Sequence, residues 1–359
     1  MLDDTKKYFI CSLPYQLSIK EGLLSREQVQ DEMSEADFFE IKWQIEMCAL
    51  FWGDTDDAFF NYEDVSNRRK LKTAVYPPQI TNGKRDLKIP DLLPNERRIL
   101  SADIALMASG KHENDARSII INSAIPTNSD KYVANIIYLE NQEGMRTDEL
   151  AFLIRKLFAQ YKCTDLVIDT NGGYGLGVFD ELTKDIVDSE TGELYPALSC
   201  CNDKAMAERC KVENAQKVIW SIKANAAFNT EACTLLRSAF QNGKINLLVS
   251  EFECEEILKD KIKGFAGMPL DTQLKYKMPY IQTTLLVHEL INLESETRGV
   301  NIKITEKPGA RKDRYSSLAY NYWVQCQLEI QNLRKPKNSF DINDYANRLR
   351  KLSKRPIMY

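Results

Sequence analysis

Read for its apolar and polar positions, the chain changes character twice. Residues 1–65 place apolar side chains every three or four positions, as in SREQVQDEM and ADFFEIKWQIEMCALFW, and this spacing predicts a mostly helical segment. Between about 66 and 96 the periodicity is lost, and YPPQITNGKRDLKIPDLLP brings in prolines and a glycine, as a linker does. From Arg97 the runs become apolar and β-branched: RRILSADIALMAS, ARSIIINSAI and KYVANIIYL predict three strands joined by hairpins. DELAFLIRKLFAQY returns to helical spacing, CTDLVIDT predicts a strand, and GVFDELTKDIV predicts a second helix after the glycine-rich turn NGGYGLG.

Further along, AQKVIWSIK predicts a strand, NTEACTLLRSAFQNG a helix stopped by glycine, and KINLLVS a short strand. LDTQLKYKMPYIQTTLLVHELINLESE predicts a broken helix, NIKITEK alternates as a strand does, and RKDRYSSLAYNYWVQCQLEIQNL predicts a last long helix. Three antiparallel strands followed by alternating helices and strands imply an α/β fold, a mixed β-sheet flanked by helices, over residues 97–335. A basic tail, 336–359, follows.

Composition narrows the chemistry. Only two histidines occur, His112 and His288, which leaves little material for a histidine metal site or a histidine-dependent triad. HELIN (288–292) begins like the zinc-protease motif HExxH, but its fifth residue is Asn292. Nine cysteines without a CxxC pair match neither a disulfide framework nor a zinc knuckle, so reduced thiols are expected. No window reaches the ~20 apolar residues of a membrane helix, and MLDDTKKYF lacks the features of a signal peptide, so the chain is read as intracellular. The formal charge of −4 excludes a wholly basic nucleic-acid binder. Residues 333–359 nevertheless hold eight Lys/Arg against two Asp, either a solvated end or a contact for nucleic acid or a partner.

Two acids stand inside or at the end of predicted apolar strands: Asp103 in ILSADIALM and Asp169 in LVIDT. A buried lone carboxylate is costly unless it is paired, hydrogen-bonded or bound to a cation. Asp313 falls in the first turn of the last helix, where capping is the ordinary role. Each acid taken alone reads as structural. Together, in a sheet of this order, they would reach one edge, and such a cluster suits two divalent cations about 3.5 to 4 Å apart, the two-metal arrangement for phosphodiester hydrolysis. Asp115 in HENDARS could join as an outer acid, although an exposed loop aspartate is the commoner case.

At these residues the sequence resembles the large terminase subunit of tailed bacteriophages, specifically its nuclease domain. The resemblance runs from SADIALMASGKHENDARSIIINSAI through VIDTNGGYGLGVFDEL to KDRYSSLAYNYW, and covers about residues 95 to 330. It implies an RNase H-like fold that cuts concatemeric viral DNA during genome packaging, with Asp103, Asp169 and Asp313 as ligands of two divalent cations, Mg2+ or Mn2+. It also implies double-stranded DNA as substrate, the portal protein and the small terminase subunit as partners, and the host cytoplasm as location. FEIKWQIEMCALFWGDTDDAFFNYEDV resembles the end of that family's ATPase domain, so residues 1–65 are expected to be its last helical part and 66–96 the linker.

The chain departs from the family in lacking the phosphate-binding pattern GxxxxGKS or GxxxxGKT; GKR (83–85) and GKH (110–112) do not supply it, so no ATP-driven translocation is assigned to these residues. Two rival readings remain: an actin-like or sugar-kinase ATP-binding domain, whose second copy is missing, and a non-catalytic module that docks DNA and portal. Lys307, Lys312 and Lys335, with the basic tail, fit contact to a DNA backbone under either terminase reading.

Overall fold

The β-branched, fully apolar runs form strands because both faces of the resulting sheet are covered by helices. The computed structural model describes residues 15–33, 47, 58–81, 87–104, 116–127, 131–306 and 311–334. The main sheet contains β1 (Arg69–Leu71), β2 (Arg97–Asp103), β3 (Ala116–Pro126), β4 (Tyr132–Glu143), β5 (Asp165–Asp169), β6 (Leu198–Cys200), β7 (Gln216–Ile222) and β8 (Ile245–Leu248). Their order across the sheet is β1-β8-β4-β3-β2-β5-β7-β6. Only β3 runs against its neighbours; every other adjacent pair is parallel. This is the mixed sheet flanked by helices expected from the sequence, with β2, β3 and β4 as the antiparallel meander.

One face is covered by α1 (Thr147–Gln160), α2 (Gly172–Leu182) and α4 (Glu251–Lys261); α3 (Ala226–Gln241) and α6 (Asp313–Arg334) cover the other. Between α4 and α6 in sequence lies α5 (Leu270–Ile291), which contributes Tyr276 and Tyr280 to the first core and Leu286 and Leu290 to the second. A hairpin of β9 (Glu294–Arg298) and β10 (Asn301–Thr305) joins α5 to α6.

Four differences from the sequence reading have physical causes. Part of the stretch expected as a linker is structural: β1 extends the sheet beside β8, and the Arg69 guanidinium donates to the Val249 carbonyl and Thr284 Oγ1. Ala74 and Tyr76 are buried, and the Tyr161 hydroxyl donates to the Val75 carbonyl. The helix expected to break is continuous through Pro279, whose carbonyl accepts from Thr283 Oγ1 at 2.8 Å. Strand β9, not foreseen, pairs with all five residues of β10. Finally, NGGYGLG is not a turn before a helix; its four glycines form the first turns of α2. A Cβ at Gly175 would sit 2.4 Å from the Asp169 carbonyl oxygen, so the missing side chain lets α2 lie against the end of β5.

Helix α6 crosses β2 and β3 on a line of fully or nearly fully buried polar groups. Ser317 Oγ meets Ser101 Oγ at 3.0 Å, and Asn321 Nδ2 donates to the Ile99 carbonyl at 3.2 Å and to Ser101 Oγ at 3.1 Å. Asn122 Nδ2 donates to Asn321 Oδ1 at 2.9 Å and to Gln325 Oε1 at 3.1 Å. Removing one member strands the others without solvent. Asn321→Ala is therefore expected to lower stability by about 2–3 kcal/mol, read as a shift of the urea midpoint at unchanged slope.

Candidate metal centre

Asp103 and Asp169 are the last residues of β2 and β5, which are neighbours and parallel, with Ala102 opposite Ile168 one residue earlier. Strands pair about 4.8 Å apart, so the two aspartates finish side by side. Side chains alternate along a strand. Ser101 bonds Ser317 on α6, and Val167 belongs to the core beneath α3 and α6, so Asp103 and Asp169 both lie on the α6 face. Tyr320 of α6, nearly buried, registers both: burial is the main cause that pushes its phenol well above the ordinary range, and the charges of Asp103 and Asp169 add to it.

Asp169 is 3% exposed, and burial lifts its carboxyl to about 6, against a smaller opposing effect from the Asn171 N–H, which donates to Oδ1 at 2.8 Å. The strand end around it is stiffened from the β7 side. Thr170 N–H and Oγ1 both donate to the Ile222 carbonyl, and Asn171 Nδ2 donates to the Ala224 carbonyl at 3.1 Å.

Asp313 is the first residue of α6. It stands one turn before Ser317, and Ser317 bonds Ser101, two residues before Asp103, so the helix starts over the same end of the sheet. The third residue of the helix is tied to a neighbouring helix. The Tyr315 N–H donates to Glu289 Oε2 of α5 at 3.0 Å, and the other oxygen of Glu289 accepts from the Arg314 guanidinium. Arg314 Nε also donates to Gln282 Oε1 at 2.8 Å. Glu289 is 8% exposed and Arg314 7% exposed. Burial raises the Glu289 carboxyl to about 7 against the pull of Arg314, and the nearby charge of Asp313 adds to the rise.

Not every expected residue falls in this assembly. Asp115, Lys307 and Lys335 lie outside the described residues. Lys312 is half-buried, and its ammonium pairs with Glu306 at 2.6 Å. Among the described residues no three His, Cys, Asp or Glu side chains converge closely enough to hold a metal ion. The donors still fit a hard divalent cation in kind: carboxylate oxygens only, with one of them, on Asp169, buried without a cationic partner among the described residues. Sequence reasoning missed Tyr320, Arg314 and Glu289. For Glu289 a signal existed, an acid within the apolar helical run TTLLVHEL, hidden because HELIN was weighed only as a zinc motif.

No described helix is long and apolar enough to cross a membrane. No family model and no curated relative matches the chain. Solved structures do. The large terminase nuclease from thermophilic phage G20c with bound magnesium is similar at a TM-score of 0.40 and 13% identity, over 75% of this chain and 98% of that one. The nuclease domain of the large terminase subunit of bacterial virus Sf6 is similar at 0.31 and 9%, over 78% and 99%. The HK97 bacteriophage large terminase is similar at 0.35 and 8%, over 70% of this chain and 43% of that one.

The raised pKa of Asp169 has a measurable consequence without metal. Its folded value, about 6, lies above the ordinary 3.8, so the folded state holds this proton more tightly than the unfolded state does. Stability contributed by that proton is present below pH ~4 and lost as pH rises through about 6, by roughly 2–3 kcal/mol. In chelator, Asp169→Asn is expected to be more stable than the parent at pH 8 by about that amount, with the difference vanishing near pH 4 in urea titrations.

Proposed function

We propose that the chain is a divalent-metal-dependent DNA endonuclease of the large-terminase type, cutting concatemeric viral DNA during genome packaging. The observation that supports it most is the shared end and shared face of Asp103 and Asp169 on neighbouring parallel strands. Asp313, at the start of the helix pinned over that end, is the third proposed ligand, and Asp115 an outer one. Together these would hold two cations, Mg2+ or Mn2+, which supply Lewis acidity and neutralise charge on the phosphodiester when bound.

The chain's own residues have distinct parts in this reading. Asp169 takes up a proton near pH 6 in the metal-free protein because burial disfavours its charge; a bound cation would favour the ionised form and displace that proton. Tyr320 on the α6 face lines the buried side of the proposed site. No base-reading motif is present, so contact is expected with the backbone of double-stranded DNA, aided weakly by Lys307, Lys312 and Lys335. The choice of cleavage site then falls to partners, the portal protein and the small terminase subunit. The docking-module reading gives the pairing of Asp103 with Asp169 no role.

Supercoiled plasmid incubated with the full chain is expected to be nicked and linearised in magnesium or manganese and left intact in chelator. Asp103→Ala, Asp169→Ala and Asp313→Ala should each reduce the rate by about 100-fold or more, since even partners of ligands are worth 10–100-fold. Cleavage that survives all three substitutions rules the catalytic assignment out.

A further inference from the structure

A strand end is held by its neighbours, whereas the first turn of a helix frays unless contacts outside it hold it. For the turn that carries Asp313, such contacts run to α5. Glu289, in the last turn of α5, accepts from the Tyr315 N–H with one oxygen and from Arg314 with the other, and Arg314 reaches back to Gln282 about two turns earlier on α5. Three contacts thus tie the two residues after Asp313 to a single 22-residue helix. Glu289 and Arg314 are both buried, so neither gains from water what it would lose by letting go.

A clamp of this form costs more than a capping serine. One neutral hydroxyl would satisfy the Tyr315 N–H, and an apolar pair would fill the same volume without desolvating two charges. The arrangement does what those alternatives would not: it fixes the rotation and the height of the first turn of α6, and with them the position of the Asp313 Cα. We propose that Glu289, through Arg314 and the Tyr315 N–H, is a positioning residue that holds Asp313 at the end of the sheet where β2 and β5 finish in Asp103 and Asp169, for divalent-cation binding. The inference rests on the reading of these three carboxylates as the metal centre. Glu289 itself touches neither substrate nor ion.

The test separates the clamp from general stability. Manganese affinity of the full-length protein is measured by the electron paramagnetic resonance signal of free Mn2+, beside the thermal unfolding of each metal-free variant. Two variants are used: Glu289→Met combined with Arg314→Met, in which an apolar pair replaces the buried charges and folding is kept, and Gln282→Leu, a mild change at a partly exposed position. The paired Met variant is expected to bind manganese about tenfold more weakly, in the range seen when outer partners of metal ligands are lost, with its unfolding midpoint at or above the parent's. Gln282→Leu should show a smaller loss in the same direction, and it remains informative if the paired variant does not fold. Unchanged manganese affinity in the folded variants overturns the clamp, provided Asp103→Ala and Asp313→Ala weaken binding in the same assay. If those two substitutions leave binding unchanged, the metal centre itself is wrong, and the clamp falls with it.

Discussion

The candidate site depends on how α6 is fixed along the sheet. A helix packed on a sheet by apolar contacts alone can slide or rotate at modest cost, because methyl groups accept many partners. The line Ser101, Ser317, Asn122, Asn321 and Gln325 accepts few: each donor needs a particular acceptor, and all five residues are buried. A shift by one residue would leave several of these groups unsatisfied at once, which is far costlier than an imperfect apolar fit. The polar line therefore sets the register of α6, and the start of that helix is delivered to the ends of β2 and β5 as a consequence.

That delivery creates an electrostatic problem. Asp103 and Asp169 end adjacent strands, Asp313 begins the helix above them, and Glu289 lies close enough to Asp313 for the two charges to repel. Arg314 offsets the charge of Glu289, while Asp169 relieves its own burial by taking up a proton near pH 6. A divalent cation would relieve the same strain more completely, and this links the geometry of the fold to the chemistry proposed for it. Helix α2 contributes through what it lacks: Gly175 lets it approach the Asp169 carbonyl and brace the strand end from the opposite face.

The strands that carry Asp103 and Asp169 were legible because central strands covered on both faces leave a continuous apolar, β-branched signature, and an acid at the end of such a run stands out. Helix α6 was legible too, from its periodicity. The polar line beneath it was not, since Ser, Asn and Gln in a helix read as a solvated face until the partner strand is known to carry Ser101 and Asn122 in register. Strand β1 escaped notice because three residues, two cations and a leucine in RKL, give no periodic signal; its identity comes from pairing with β8, where Arg69 lies opposite Leu247 and Leu71 opposite Leu248. The glycines of NGGYGLG misled for the opposite reason: local propensity argues for a turn, whereas close packing of α2 on β5 requires residues without side chains. Glu289 could be recognised as a clamp only once α5 and α6 were seen to cross.

The central claim, that Asp103 and Asp169 share bound cations at the end of the sheet, is tested most directly by anomalous diffraction from crystals of the full chain soaked in manganese. The account predicts anomalous peaks within coordination distance of both carboxylates, with Asp313 contributing to at least one. Manganese bound only elsewhere, or absent from both strand ends in crystals of a preparation that cuts DNA, would contradict it.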